Sequence, residues 1–338
     1  MKRICFIFFL FAVFCSESLF SLDINLFVAP KISLHNSRSK ESLYFSGNFN
    51  SDSSKKCSLL EWNRKNVVKL GIESELELKM ENSGTFGIIY SADFSFPRNN
   101  GKMTDSDWNS AGVKLNYSIF NANIVCNNFS DIFKNFNTSI EFFYKKQLSY
   151  FFTIKPSVKF LYSSIFFNSE NGYGWYGTSN WTTDNKEHAW NDKEAHYFPD
   201  GKYKLANIDY QVKQIGIFTG VSAIFKISRL VDVFTGFNFS PYTFILATDR
   251  HHPNSFVTED YIHIIFGNCD FYSGLNISFS NRLSFNFFVN YSNIKHTKGY
   301  EYIVYDKNGT TELSSQKAGY SCSEFNFSAS IRFLILKK

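Results

Sequence analysis

The chain has 338 residues, a net charge of +5, and 40 Phe and 19 Tyr against only 6 Pro. A mean hydropathy of −0.21 beside 44% hydrophobic residues excludes a helical membrane protein and implies apolar residues interleaved with polar ones. The modest positive charge comes with no basic–aromatic cluster, which excludes a nucleic-acid platform and leaves attraction to anionic lipid headgroups.

Lys2 and Arg3 open the chain, and Ile4 to Phe14 is an apolar run too short to span a bilayer. Ser16, Ser18 and Ser21 follow, so residues 1–21 are expected to be a secretory signal cleaved near 18–21. Residues 22–338 then form one domain. Phe14 before Cys15 is too bulky for a lipidation motif. Beyond this segment no long uninterrupted apolar run occurs.

Strict alternation follows. Leu283, Phe285, Phe287, Val289 and Tyr291 form one stripe, and Phe325, Phe327, Ala329, Ile331 and Phe333 form another. Ile215, Ile217, Val221, Ala223 and Phe225 repeat the pattern. Period two means strands with one apolar face. Ten strands are expected near 22–36, 58–79, 84–99, 111–145, 147–168, 205–227, 230–249, 255–279, 282–305 and 316–333. The fourth carries a polar interruption around Asn127 to Asn135.

A secreted sandwich would turn the apolar stripes inward, and an outer-membrane barrel turns them to lipid. The export signal and the terminal aromatic Phe333 favour the barrel. So do the unequal connections, tight at Ser228-Arg229 and long over 36–58 and 169–204. The fold expected is an all-β, ten-stranded antiparallel transmembrane barrel. Several strands are near twice the ~9–11 residues that cross a bilayer, so the barrel should project beyond the membrane.

Cys57, Cys126, Cys269 and Cys322 are scattered without zinc spacing, and their pairing is open. Trp175, Trp181, His188, Trp190 and His196 share one long loop at irregular spacing. That composition favours a loop packed by its own aromatics over metal ligation. No metal site is expected.

Two short motifs carry the chemistry. Asp105-Ser106-Asp107-Trp108 and Asp249-Arg250-His251 each place acidic or basic groups at i, i+2 near a strand end. On a strand such pairs share a face. A carboxylate pair opposite an Asp–His pair is enough to activate a water.

The order and setting of these motifs resemble the omptin family of outer-membrane aspartate–histidine proteases over most of the mature chain. Ser58-Leu59-Leu60-Glu61-Trp62, the stretch Gly101 to Trp108, Phe198-Pro199-Asp200-Gly201, Gly299 through Asp306 and the last strand carry the likeness. The resemblance implies that Asp249 orients His251 as general base while Asp105 and Asp107 hold the attacking water. It implies no acyl-enzyme, a monomer with its site facing the exterior, and peptide or protein substrates, host proteins among them. No cofactor is expected beyond a dependence on lipopolysaccharide.

The family binds a basic residue before the cut with acids in the cleft. Glu41 falls at one such position, but the second, two residues before Asp249, is Ala247. Asn109 to Asn128 also lacks an acid where the family has another. A lone carboxylate would give a weak preference for Arg over Lys. The rival reading is a catalytically silent barrel, an adhesin or narrow pore. Retention of all four catalytic-type residues favours the protease.

Overall fold

The computed structural model describes residues 22–45, 56–80, 84–124, 133–200, 205, 207–252, 254–307 and 309–338. The expected signal at 1–21 lies outside the described residues, as do Cys126, Gly201 and most of the interruption at 127–135.

Sixteen strand segments follow in order. They are β1 (Leu22–Tyr44), β2 (Lys56–Met80), β3 (Gly84–Ser95), β4 (Arg98–Trp108), β5 (Lys114–Ile124) and β6 (Phe136–Ser149). Then come β7 (Phe152–Tyr176), β8 (His196–Phe198), β9 (Ile208–Lys226), β10 (Val231–His251) and β11 (Phe256–Ile264). The last are β12 (Asn268–Ser280), β13 (Leu283–Lys298), β14 (Tyr300–Tyr305), β15 (Thr311–Leu313) and β16 (Lys317–Lys337).

Ten of them close an antiparallel ring in the order β1, β2, β3, β6, β7, β9, β10, β12, β13, β16 and back to β1. The expected ten-stranded barrel is therefore the fold. Above the ring, β4 and β5 continue the wall between β2 and β7, while β11 and β14 continue it beyond β10.

The strands are longer than their apolar stripes. The first was expected to end at 36, yet β1 runs to Tyr44. The fifth was expected to end at 168, yet β7 reaches Tyr176. Pairing persists because Ser37, Ser39 and Glu41 face inward while Arg38 and Lys40 face water. The fourth expected strand is two, β5 and β6, around a 3₁₀ turn at Phe133–Asn135.

The lower barrel is apolar outside, with Ile32, Ile72, Phe142, Phe160, Ile215, Phe271, Phe287 and Phe327 exposed. Its lumen is charged and paired. Lys145 bridges Glu75 and Glu77, Arg332 reaches Glu75, Lys155 meets Glu141, and Lys159 meets Asp270.

Higher up the faces exchange. Between His35 and Ser37 the register of β1 on β2 slips by one residue. Asn66 absorbs the extra residue at φ 56° and donates its N–H to Asn36 Oδ1 at 2.9 Å. Such a bulge leaves one residue unpaired and turns the following side chains to the other face. Leu70 and Ile72 accordingly face lipid, whereas Leu60 and Trp62 face in.

Trp62 stacks on Tyr210 (5.4 Å, 8°) and Phe167 (5.3 Å, 23°). Around them Met103, Phe120, Ile208, Ile245, Ile262, Ile294 and Tyr320 complete an apolar layer across the barrel. In detergent the refolded protein is expected to give a β-type circular dichroism spectrum and heat-modifiable gel mobility. A helical spectrum, or full solubility without detergent, would contradict this architecture.

Candidate active site

The rim stands on the apolar layer. At ~3.3 Å per residue, Glu41 lies roughly 30 Å along β1 from the lipid-facing Ile32, so the rim is clear of the bilayer.

On one wall, β4 pairs with β2 and β5, placing Asp105 opposite Leu60 and Ser118. Asp105 is buried, and its Oδ1 has no hydrogen-bond partner. Asp107 accepts from Asn116 Nδ2 at 3.0 Å. Trp108, of the other parity, lies under Lys114 (5.0 Å) and Lys56 (5.8 Å). The hairpin beyond is short because Asn109 Oδ1 accepts from the N–H of Ala111 and Val113, and Gly112 takes φ 85°.

On the facing wall, β10 carries Asp249 and His251. His251 Nε2 lies 2.9 Å from Asp249 Oδ2, which fixes the ring and leaves its other nitrogen for base chemistry. The end of β10 is braced on both sides of that histidine. Arg250 donates twice to Asp306 (2.9 and 2.7 Å), and His252 meets Asp209 at 3.0 Å.

The two walls feel each other. Burial alone would lower His251, but the Asp249 charge and hydrogen bond, with Asp105 and Asp107, lift it to about 9. Burial and the neighbouring Asp107 push Asp105 well above the ordinary carboxylate range, which favours its protonated form. The structure thus brings Asp105, Asp107, Asp249 and His251 to one cleft.

Glu41 sits deeper, on the β1 wall between Tyr320 and Leu60. Ala247 is buried below Asp249 and brings no charge. Sequence reasoning missed Asp260, Glu301, Tyr210, Tyr176 and Asn116. Asp260 did carry a signal, since it shares its parity on β11 with the apolar Ile262 and Ile264.

The long loop after β7 is held by its aromatics. Trp175 meets Trp190 (5.8 Å) and Tyr197 (5.4 Å), and Trp181 meets Phe198 (4.9 Å). His188 pairs with Asp184, and His196 with Asp200, both at 2.9 Å. Among the described residues no three His, Cys, Asp or Glu side chains converge as metal ligands do. Cys57, Cys269 and Cys322 are free thiols.

A closed barrel greased on the outside, with titratable groups gathered at its projecting mouth, defines an outer-membrane protein whose chemistry is done above the lipid. The omptin family model matches residues 24–335, and the chain belongs to the omptin family, a family of outer-membrane proteases. The crystal structure of the outer membrane protease OmpT from Escherichia coli matches with a TM-score of 0.71 at 13% identity, covering 92% of this chain and 97% of that one. A Pseudomonas aeruginosa FadL homologue reaches only 0.30 at 5% identity, over 91% and 90%. A search of curated protein sequences returns no match.

Proposed function

We propose that the protein is an outer-membrane endopeptidase that cleaves exposed peptides beside basic residues with a water activated by Asp and His. The observation that carries this reading is the Asp249–His251 couple, held at 2.9 Å and facing a buried, unpartnered Asp105 oxygen.

Asp249 fixes the imidazole and balances the charge it acquires. A water between His251 and Asp105 gives its proton to His251 and adds to the scissile carbonyl carbon. Asp105 and Asp107 hold that water and the oxygen on which charge develops. His251 then returns the proton to the departing amine. No side chain forms a bond to the substrate.

The apolar layer beneath the rim speaks against the pore reading, because Trp62, Phe167 and Tyr210 occupy the cross-section a solute would need. Lipopolysaccharide is proposed as an activating lipid. The direct test is digestion of a mixed peptide library by the refolded protein, with and without that lipid, with cut sites read by mass spectrometry. Absence of cleavage under both conditions would refute the protease reading.

The pH dependence follows from His251. Only its neutral form accepts a proton, and its partners hold it charged up to about 9. The rising limb of kcat/KM should therefore centre near pH 9. Asp249→Asn removes the largest attractive charge, so the limb should move down toward ~6.5, the ordinary imidazole value. A limb that stays put in this variant would contradict the assigned couple.

A further inference from the structure

Beneath the apolar layer the bore holds a cavity of about 260 Å³ whose charges do not balance. Four basic side chains line it, Lys31, Arg64, Lys69 and Lys159, against the three acids Asp93, Asp270 and Glu324. Lys31 meets Asp93 at 3.5 Å, and Lys159 meets Asp270 at 3.2 Å. Glu324 is engaged by His35, whose Nδ1 lies 2.7 Å from its Oε1. Arg64 and Lys69 are left, and neither forms an ion pair among the described residues.

The bulge at Asn66 brings these two together. Five residues apart on β2, they would point to opposite faces of a regular strand. The extra residue at Asn66 restores their parity, so both side chains enter the bore. They are 7% and 4% exposed. Their cross-strand neighbours bring no charge, since Arg64 pairs with Ser37 and Gly101, and Lys69 with Ser33 and Ser95. Ser37 stands between Arg64 and Glu324 in one row, which sets that carboxylate two strands away, roughly 10 Å. Nε of Arg64 has no hydrogen-bond partner.

The adjoining cavity lower in the bore is the opposite case. Its five acids outnumber its four bases, and Lys145, Lys155, Lys159 and Arg332 each meet a carboxylate. The unmatched positive charge is therefore local to the upper cavity.

A buried cation without a counter-charge is costly, and so is a buried donor without an acceptor. We infer that the upper bore is an anion site, in which Arg64 and Lys69 hold one small monovalent anion of the halide class. The surplus is a single charge, which a monovalent ion closes and a phosphate would exceed. An ammonium, a guanidinium N–H and serine hydroxyls can surround a sphere. With about 30 Å³ for each water, the cavity has room for the ion and part of a hydration shell. The Arg64 guanidinium also lies 4.7 Å over the Phe167 ring, so the ion is coupled to the layer that carries the rim. This inference does not depend on the protease reading.

The test uses full-length protein refolded in detergent, in sodium bromide or in sodium gluconate of equal ionic strength. The urea midpoint should rise with bromide concentration and level off, as a ligand of the folded state requires, while the bulky gluconate has no such effect. Lys69→Met keeps the length of the side chain without its charge. It should weaken bromide affinity by roughly 10- to 100-fold, the span for losing a charged hydrogen-bond donor. Lys102→Met, at an exposed lysine that bonds Asn121, should leave the bromide response unchanged. Equal loss in both variants would mean general charge screening and would overturn the site.

A second measurement needs no variant to fold. Crystals of the wild-type protein grown in bromide should show an anomalous scattering peak between Arg64 and Lys69. A cavity without that peak, or a midpoint indifferent to bromide, would equally overturn it.

Discussion

His251→Ala is expected to lower kcat/KM by on the order of 10²- to 10⁴-fold with the barrel intact, the range that general acid–base catalysis supplies. The substitution removes the proton acceptor and leaves Asp249, Asp105 and Asp107 facing one another without the intervening cation. His251 lies at the open end of β10, where its side chain is 40% exposed, so no tightly packed neighbour depends on it. Loss of activity with unchanged heat-modifiable mobility would assign the effect to chemistry. Asp249→Asn should be nearly as damaging, because an amide can no longer accept the ring N–H as a charge. Turnover by His251→Ala within a fewfold of wild type would rule the mechanism out.

The second large effect belongs to stability. Trp62→Ala should destabilise the projecting part of the barrel by about 3–5 kcal/mol, as removal of a fully buried aromatic does. Trp62 has no exposed surface and stacks on both Tyr210 and Phe167, with the Arg64 guanidinium 4.7 Å over the Phe167 ring. Its loss opens a cavity directly beneath the catalytic groups. Proteolytic nicking above the membrane and a lower urea midpoint in lipid vesicles would report the loss, while the lipid-embedded strands keep their protection. An unchanged midpoint would mean that the layer is not the keystone of the rim.

The outline of the barrel was legible because the lipid-facing stripes alternate without interruption on the lower strands. The shared face of each candidate pair was legible because each motif lies within one strand, where sequence spacing alone sets it. Beyond the bilayer the signal changes character. The upper end of β1 keeps its alternation but exchanges greasy residues for Arg38 and Lys40, so it resembles loop until its pairing with β2 is seen.

On β2 the apolar residues Leu60, Trp62, Leu70 and Ile72 all have even numbers and look like one stripe. The bulge at Asn66 sends the first two inward and the last two to lipid. Asp260 and Glu301 escaped for another reason. Their meaning depends on cross-strand register with Ala247, which a single sequence does not specify.

The apolar layer also gives the enzyme a direction. The candidate groups Asp105, Asp107, Asp249 and His251 stand on the outer side of a seal made of stacked rings, and below that seal the bore is tied shut by paired charges. In an outer-membrane hydrolase so built, geometry itself holds the cleft on the far side of the wall from the periplasm.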